Sequence, residues 1–333
     1  MNKTLQKRKT GRLIILGALL AVAIAFPCSS ALAASDGYPQ KPVRLLIAFA
    51  PGGSTDAIGR LVAAKLSERL GKQFIAENQA GGGGTIASEM VARSASDGHT
   101  LLFNSSAIVI NPLLSQVPYD PFKSFIPIAK IGNSPSALVV HPSVQANTVK
   151  EFIALAKKQP GKLVAAAAGG GSFIHLSTEL FKTMADIDFK IVQFKGGGPA
   201  VIDLIGGHSQ FFLGSIQQSL PHIQSGKLRA LGYGGASRSK LLPDLPTISE
   251  AGVPGYQSFI WWGLFAPAGT PQAIVDTLNR ELEAIMKTPE MVKTFETQGA
   301  EQDLLGPAAF VKFMEAESAK WGKVIKQGHI KLE

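Results

Sequence analysis

The chain has 333 residues, with 33 Lys and Arg against 24 Asp and Glu, a formal charge of +9. Five of the basic residues (Lys3, Lys7, Arg8, Lys9, Arg12) precede the first acid, so 28 remain against 24, a net +4, and no Lys/Arg run forms a nucleic-acid stripe. Cys28 is the only cysteine, which excludes a disulfide framework and leaves the fold to be held by its core.

The first 33 residues have the three-part plan of a secretory signal: a basic start, an apolar run from Leu13 to Phe26, and Ala31-Leu32-Ala33 as small residues for the peptidase. The apolar run is shorter than the roughly 20 residues a membrane span needs. Cleavage is expected after Ala33, with export to the periplasm. Pro27 directly before Cys28 fits a lipid-attachment motif poorly. No later segment reaches transmembrane length without polar interruption.

Val43 to Phe49 reads as a buried strand. Ile58, Leu61, Val62, Leu66 and Leu70 then recur at helical spacing, and Gly71 can close that helix in the left-handed conformation. Gln73 to Glu77 reads as the next strand. Alternating strands and helices predict an α/β fold with a largely parallel sheet. The same plan occurs twice. Strands 43–49, 73–77 and 100–104 are interleaved with Pro51-Gly52-Gly53 and Gly81-Gly82-Gly83-Gly84. Strands 163–167, 189–194 and 210–213 are interleaved with Gly169-Gly170-Gly171 and Gly196-Gly197-Gly198. Two such units predict two similar lobes. Ile126 to His141, two apolar runs broken by Gly132-Asn133-Ser134-Pro135, and Phe259 to Pro267 read as the crossings between them. Lobe 1 is then 36–132 with 258–333, and lobe 2 is 133–257. Helices are expected near Pro271–Met286 and Pro307–Gln327.

Each glycine loop precedes a helix. Glycine lets backbone N–H groups approach a ligand, and a helix's first turn offers free donors and a positive dipole end, so an anion can bind there without Lys or Arg. Four loops facing one cleft would make a backbone cage. The candidate contacts are Gly53, Gly82, Gly83, Thr85, Ala168, Gly169, Gly170, Gly171, Ser172, Gly197, Gly198 and Ser215, with Phe49 from the first strand. Ser54 and Thr55 could cap the helix or donate to a carboxylate, while Asp56 reads as a cap. Ser105 and Ser106 end the third strand, where open α/β sheets place ligands. Trp261 and Trp262 are adjacent and should face opposite ways on a strand.

Enzyme signals are weak. The six histidines show no paired metal-ligand spacing, and there is no Gly-x-Ser-x-Gly elbow or Walker loop. Gly82-Gly83-Gly84-Thr85-Ile86-Ala87 matches a loose dinucleotide pattern, but it follows the second strand and lacks the acid that ribose recognition wants. No cofactor and no metal are expected, and a monomer is. The competing readings are a secreted enzyme of carboxylate metabolism and a sensor subunit for a histidine kinase.

The chain from Tyr38-Pro39 onward resembles the substrate-binding receptors of tripartite tricarboxylate transporters, the Bug receptors. The motifs are Pro51-Gly52-Gly53-Ser54-Thr55-Asp56, Asp97-Gly98-His99-Thr100, Ile110-Asn111-Pro112, Pro118-Tyr119-Asp120-Pro121, Phe194-Lys195-Gly196-Gly197-Gly198-Pro199, Leu220-Pro221-His222-Ile223, Pro246-Thr247-Ile248-Ser249-Glu250-Ala251-Gly252 and Ala266-Pro267-Ala268-Gly269-Thr270-Pro271. The resemblance implies a two-lobed Venus-flytrap (type II) binding fold, no catalysis, and delivery of a small organic carboxylate to inner-membrane permease subunits. The chain departs from the family pattern at Gln210 and Gly214, where acids are common, and at Ala107, Ala167 and Ala168, where polar residues are. Those departures imply a cleft with no partner for a ligand ammonium, suited to a carboxylate with an apolar or aromatic body.

Overall fold

The computed structural model describes residues 37–328 and residue 330. The expected signal segment lies outside the described residues. Among these residues no helix is long and apolar enough to cross a membrane, and no group of three or more His, Cys, Asp or Glu could hold a metal ion.

The first unit runs β1 (Val43–Ile47), α1 (Ser54–Leu70), β2 (Phe74–Asn78), α2 (Thr85–Ala92), β3 (Thr100–Ser105), α3 (Ala107–Leu114). In α1, Ile58, Val62 and Leu66 are fully buried at i, i+4 spacing. Gly71 ends the helix at φ 65°, its N–H donating to Ser67 O. The second unit repeats the plan with β5 (Val164–Ala168), α5 (Phe173–Ala185), β6 (Lys190–Phe194), α6 (Gly197–Ile205), β7 (Phe211–Ser215) and α7 (Ile216–Gln224). In each unit the first strand lies between the other two and pairs with both in parallel.

The sheet as a whole is mixed, which corrects the largely parallel expectation. Between the triplets lie β4 (Phe125–Val140) and β9 (Phe259–Pro267), and the strand order is β2-β1-β3-β9-β4-β7-β5-β6. Both added strands run antiparallel to their neighbours. The run through Gly132-Asn133-Ser134-Pro135 does not break β4. Its first part pairs with β9 and with β10 (Glu301–Leu305), and from Ser136 onward it pairs with β7 and β8 (Arg229–Tyr233). The result is a two-lobed α/β binding fold in which one strand serves both lobes. Outside the triplets, α4 (Val149–Lys158), α8 (Gln272–Met286), α9 (Pro289–Gln298) and α10 (Pro307–Gln327) cover the sheet. α8 and α10 correspond to the two expected helices, while α4, α9, β8 and β10 have no counterpart in the sequence reading.

Trp261 and Trp262 face different apolar clusters, and both are fully buried. Trp261 Nε1 donates to Glu317 Oε2 at 3.3 Å. Lys130, buried on β4, pairs with Asp303 on β10 and sits 4.4 Å above the Phe313 ring. Burial holds its amine below the ordinary lysine range. Burial, and then the Asp303 charge, push the neighbouring Glu301 carboxyl above its ordinary range.

Candidate functional site

After β1 the chain passes Phe49 and turns at Pro51-Gly52-Gly53, where Gly52 takes φ 83°. Gly53 is the N-cap of α1 and supplies no side chain to the cap. Asp56 carries out a related task from inside the helix. Its Oδ2 accepts from Gly52 N at 3.0 Å, and its Oδ1 accepts from Arg60 Nε and Asn78 Nδ2, each at 2.8 Å. That carboxylate is buried and already engaged, so it ties the turn rather than meeting a ligand. In the second lobe Ser172 caps α5 by accepting from His175 N at 3.2 Å. Gly170 N donates to Gln193 Oε1 at 2.7 Å, and Gly171 N to His175 Nδ1 at 3.3 Å. Two of the amides expected to form a cage thus have partners within their own lobe.

The other expected contacts separate into two places. A small interior cavity of ≈ 20 Å³ is lined by Phe49, Gly53, Ser54, Thr55, Ser105, Ala168, Ser172 and Gly197, together with Phe173, Ile174, Gln218 and Ile260. Gly82, Gly83, Thr85, Gly169 and Gly170 instead line a more open groove with Asn111, Gln193 and Lys195. Ser106, Gly171, Gly198 and Ser215 line neither space. The N-terminal turns of α1, α5, α6 and α7 therefore converge on the interior cavity. Their leading amides have no intrahelical acceptor, and the dipole end of each favours negative charge. No ionisable side chain lines that space. Its donors are amides and hydroxyls, and Phe49, Ala168, Phe173, Ile174 and Ile260 form an apolar wall.

Between the two places the lobes touch. Ala50 N donates to Lys195 O at 3.2 Å. A Cβ on Gly198 would collide with Pro51 O and lie 2.9 Å from Gly52 C. A Cβ on Gly83 would collide with Gly170 O, and one on Gly171 with the Asn111 amide. On Gly196 it would come within 3.0 Å of Ala50 N. The glycines at these positions let two backbones meet, a role distinct from the ligand approach for which their residue type was singled out.

Among the described residues, the hydroxyl and amide groups buried without a hydrogen-bond partner at this end of the sheets include four of note: Ser105 Oγ, Ser106 Oγ, Ser215 Oγ and Gln218 Nε2. Three of those residues are among the sequence candidates; Gln218 is not. Ile260, Phe173 and Ile174 were also missed. Gln210 lies at the other end of β7 from Ser215, where its Oε1 accepts from Val164 N at 2.9 Å. It does not line the cavity, and neither do Gly214 and Asp203.

The family model described as the tripartite tricarboxylate transporter family receptor matches residues 58–330. The protein BugT of Bordetella pertussis is 34% identical over 328 residues, covering 97% of this chain and 99% of its own. Among solved structures, that of R. palustris Rpa4515 with adipate is 36% identical with a TM-score of 0.86, covering 88% of this chain and 99% of the other. The periplasmic binding protein BugD is 31% identical with a TM-score of 0.85, covering 88% and 99%. MatC from Rhodopseudomonas palustris with bound malate is 30% identical with a TM-score of 0.81, covering 86% and 100%. The chain belongs to the tripartite tricarboxylate transporter receptors, a family of periplasmic solute-binding proteins and not of enzymes.

Proposed function

We propose that this receptor captures a small organic carboxylate with an apolar body in the interior cavity and delivers it, as a monomer, to inner-membrane permease subunits. In this reading the signal is removed near Ala33, lobe 1 comprises 36–132 with 258–333, and lobe 2 comprises 133–257. The observation that carries the ligand class is the cavity lining: helix N-termini and neutral donors on one side, an apolar wall on the other, and no ionisable side chain. An anion is stabilised there by amide dipoles. An ammonium brought into the same space would be desolvated with no carboxylate to meet it, a cost of several kcal/mol. Adipate in one relative and malate in another are carboxylates without an ammonium, and adipate also has an apolar body.

A thermal-shift screen that pairs aspartate and glutamate with succinate, adipate, benzoate and terephthalate tests the reading. Stabilisation by acids lacking an ammonium is expected. Stabilisation by an amino acid, with none from its deaminated analogue, would sink it.

A further inference from the structure

The first turn of α7 carries Ser215-Ile216-Gln217-Gln218. Ser at the N-cap and Gln three residues on is the pattern of a capping box, in which each side chain bonds the other residue's backbone N–H. This protein builds such closures elsewhere. Glu250 N donates to Thr247 Oγ1 at 3.0 Å, and Thr247 N to Glu250 Oε2 at 2.9 Å. At the start of α4, Glu151 N donates to Thr148 Oγ1 at 3.1 Å, while Glu151 Oε2 accepts from Asn147 N at 2.7 Å. At α7 the box is open. Ser215 makes no side-chain cap bond. Its Oγ and Gln218 Nε2 are both buried without a partner, Gln218 being 8% exposed.

The two side chains thus forgo a local closure that their spacing permits. Gln218 lines the interior cavity instead. Its amide packs on Gly197, where an added Cβ would collide with Oε1 and lie 2.9 Å from Nε2. The acceptor end of the amide therefore faces the first turn of α6, whose free N–H groups and dipole favour an oxygen. The donor end is left over. A buried donor without a partner is costly, and Ser105 Oγ in the same lining is in the same condition.

We infer that Gln218 is a specificity-determining ligand contact, its Nε2 donating to the captured carboxylate from an unclosed capping box. The inference rests on the carboxylate-receptor reading above. A neutral amide oriented by α6 presents a donor and no negative charge, which favours an ionised acid and offers nothing to an ammonium.

The test uses adipate as the probe, by titration calorimetry, on the mature chain and on Gln218→Leu, Gln218→Glu and Gly53→Val, with ligand-free melting temperatures alongside. The two Gln218 variants should fold with melting temperatures no lower than the parent's, because each removes an unmet donor and a carboxylate at this position can complete the box. Gln218→Leu should lose at least about ten-fold in affinity, as befits a lost hydrogen bond to a charged group. Gln218→Glu should lose more, and should recover as the pH falls and its new carboxyl protonates. A purely structural role for Gln218 gives the reverse ordering: Gln218→Glu binding as well as the parent, Gln218→Leu less stable. That ordering, or unchanged affinity in Gln218→Leu while Gly53→Val has lost binding, overturns this inference and leaves the carboxylate reading standing. If the parent binds adipate and none of the other acids, both statements survive. If it binds no acid at all, both fall together.

Discussion

Gly198→Ala isolates lobe closure from folding. Gly198 lies in the first turn of α6 with an ordinary helical backbone, so alanine is tolerated locally and gains up to about 1 kcal/mol of helix propensity. Across the seam, however, the new Cβ would run into Pro51 O and stand 2.9 Å from Gly52 C and 3.1 Å from Gly52 Cα. Carbon contacts favour about 3.5–4.0 Å, so the two backbones must part by at least roughly half an ångström. Overpacking of this kind costs about 1–3 kcal/mol, and for lobes that part on release it falls only on the state in which these backbones meet. At about 1.4 kcal/mol per factor of ten, the apparent dissociation constant should rise roughly 5- to 150-fold, because the competent population falls by that factor. The ligand-free melting temperature should be unchanged or higher. Calorimetric titration with adipate reads the affinity. Gly322→Ala on α10, where an added Cβ meets nothing within 4 Å, controls for the glycine change itself. Affinity within two-fold of the parent, with compaction on binding intact, would refute the seam argument.

Gly53→Val and Gly197→Val should each abolish binding in a folded protein, the first by filling the space before Gly197 N and Gly198 N and the second by displacing the Gln218 amide; calorimetry and circular dichroism together check both halves. Saturating ligand should lower the radius of gyration in X-ray scattering, since lobes joined by a few crossing residues close about them; an identical profile would count against a clamp. Glu301→Gln should raise the melting temperature at pH 7. The raised folded-state pKa of Glu301 means that its contribution is intact below the unfolded value near 4.5 and is lost as the pH rises through the folded one. The advantage of the variant should therefore vanish below about pH 4.

The paired triplets were legible because their signals are local. Apolar runs of strand length, helical spacing after them and glycine triplets between them all act within a few residues. The central strands were less so. Gly132-Asn133-Ser134-Pro135 has turn composition, yet the chain stays extended there because β9 pairs with Asn133, Ser134 and Pro135 in register. Local composition cannot carry that information. The candidate site divides in the same way. Phe49, Gly53, Ser54, Thr55, Ser105 and Gly197 lie at strand ends or helix starts that sequence patterns mark. Ile260 and Gln218 reach the cavity from β9 and α7, whose approach depends on how the strands are ordered. Gln218 did leave one trace, its spacing from Ser215, but an open box and a closed one have the same sequence. The glycine loops were found for one reason and serve another, since a residue type chosen for closeness does not say to what it comes close.

The shared strand β4 has a consequence for how the molecule comes apart. Its N-terminal part is hydrogen-bonded into one lobe and its C-terminal part into the other, and buried apolar residues of both lobes form one contiguous cluster that includes Ile131, Ala137, Phe212 and Trp262. Melting either lobe strips β4 of half its partners and exposes that cluster. The two lobes should then unfold in a single transition whose calorimetric and van't Hoff enthalpies agree, and neither lobe expressed by itself should hold a stable fold.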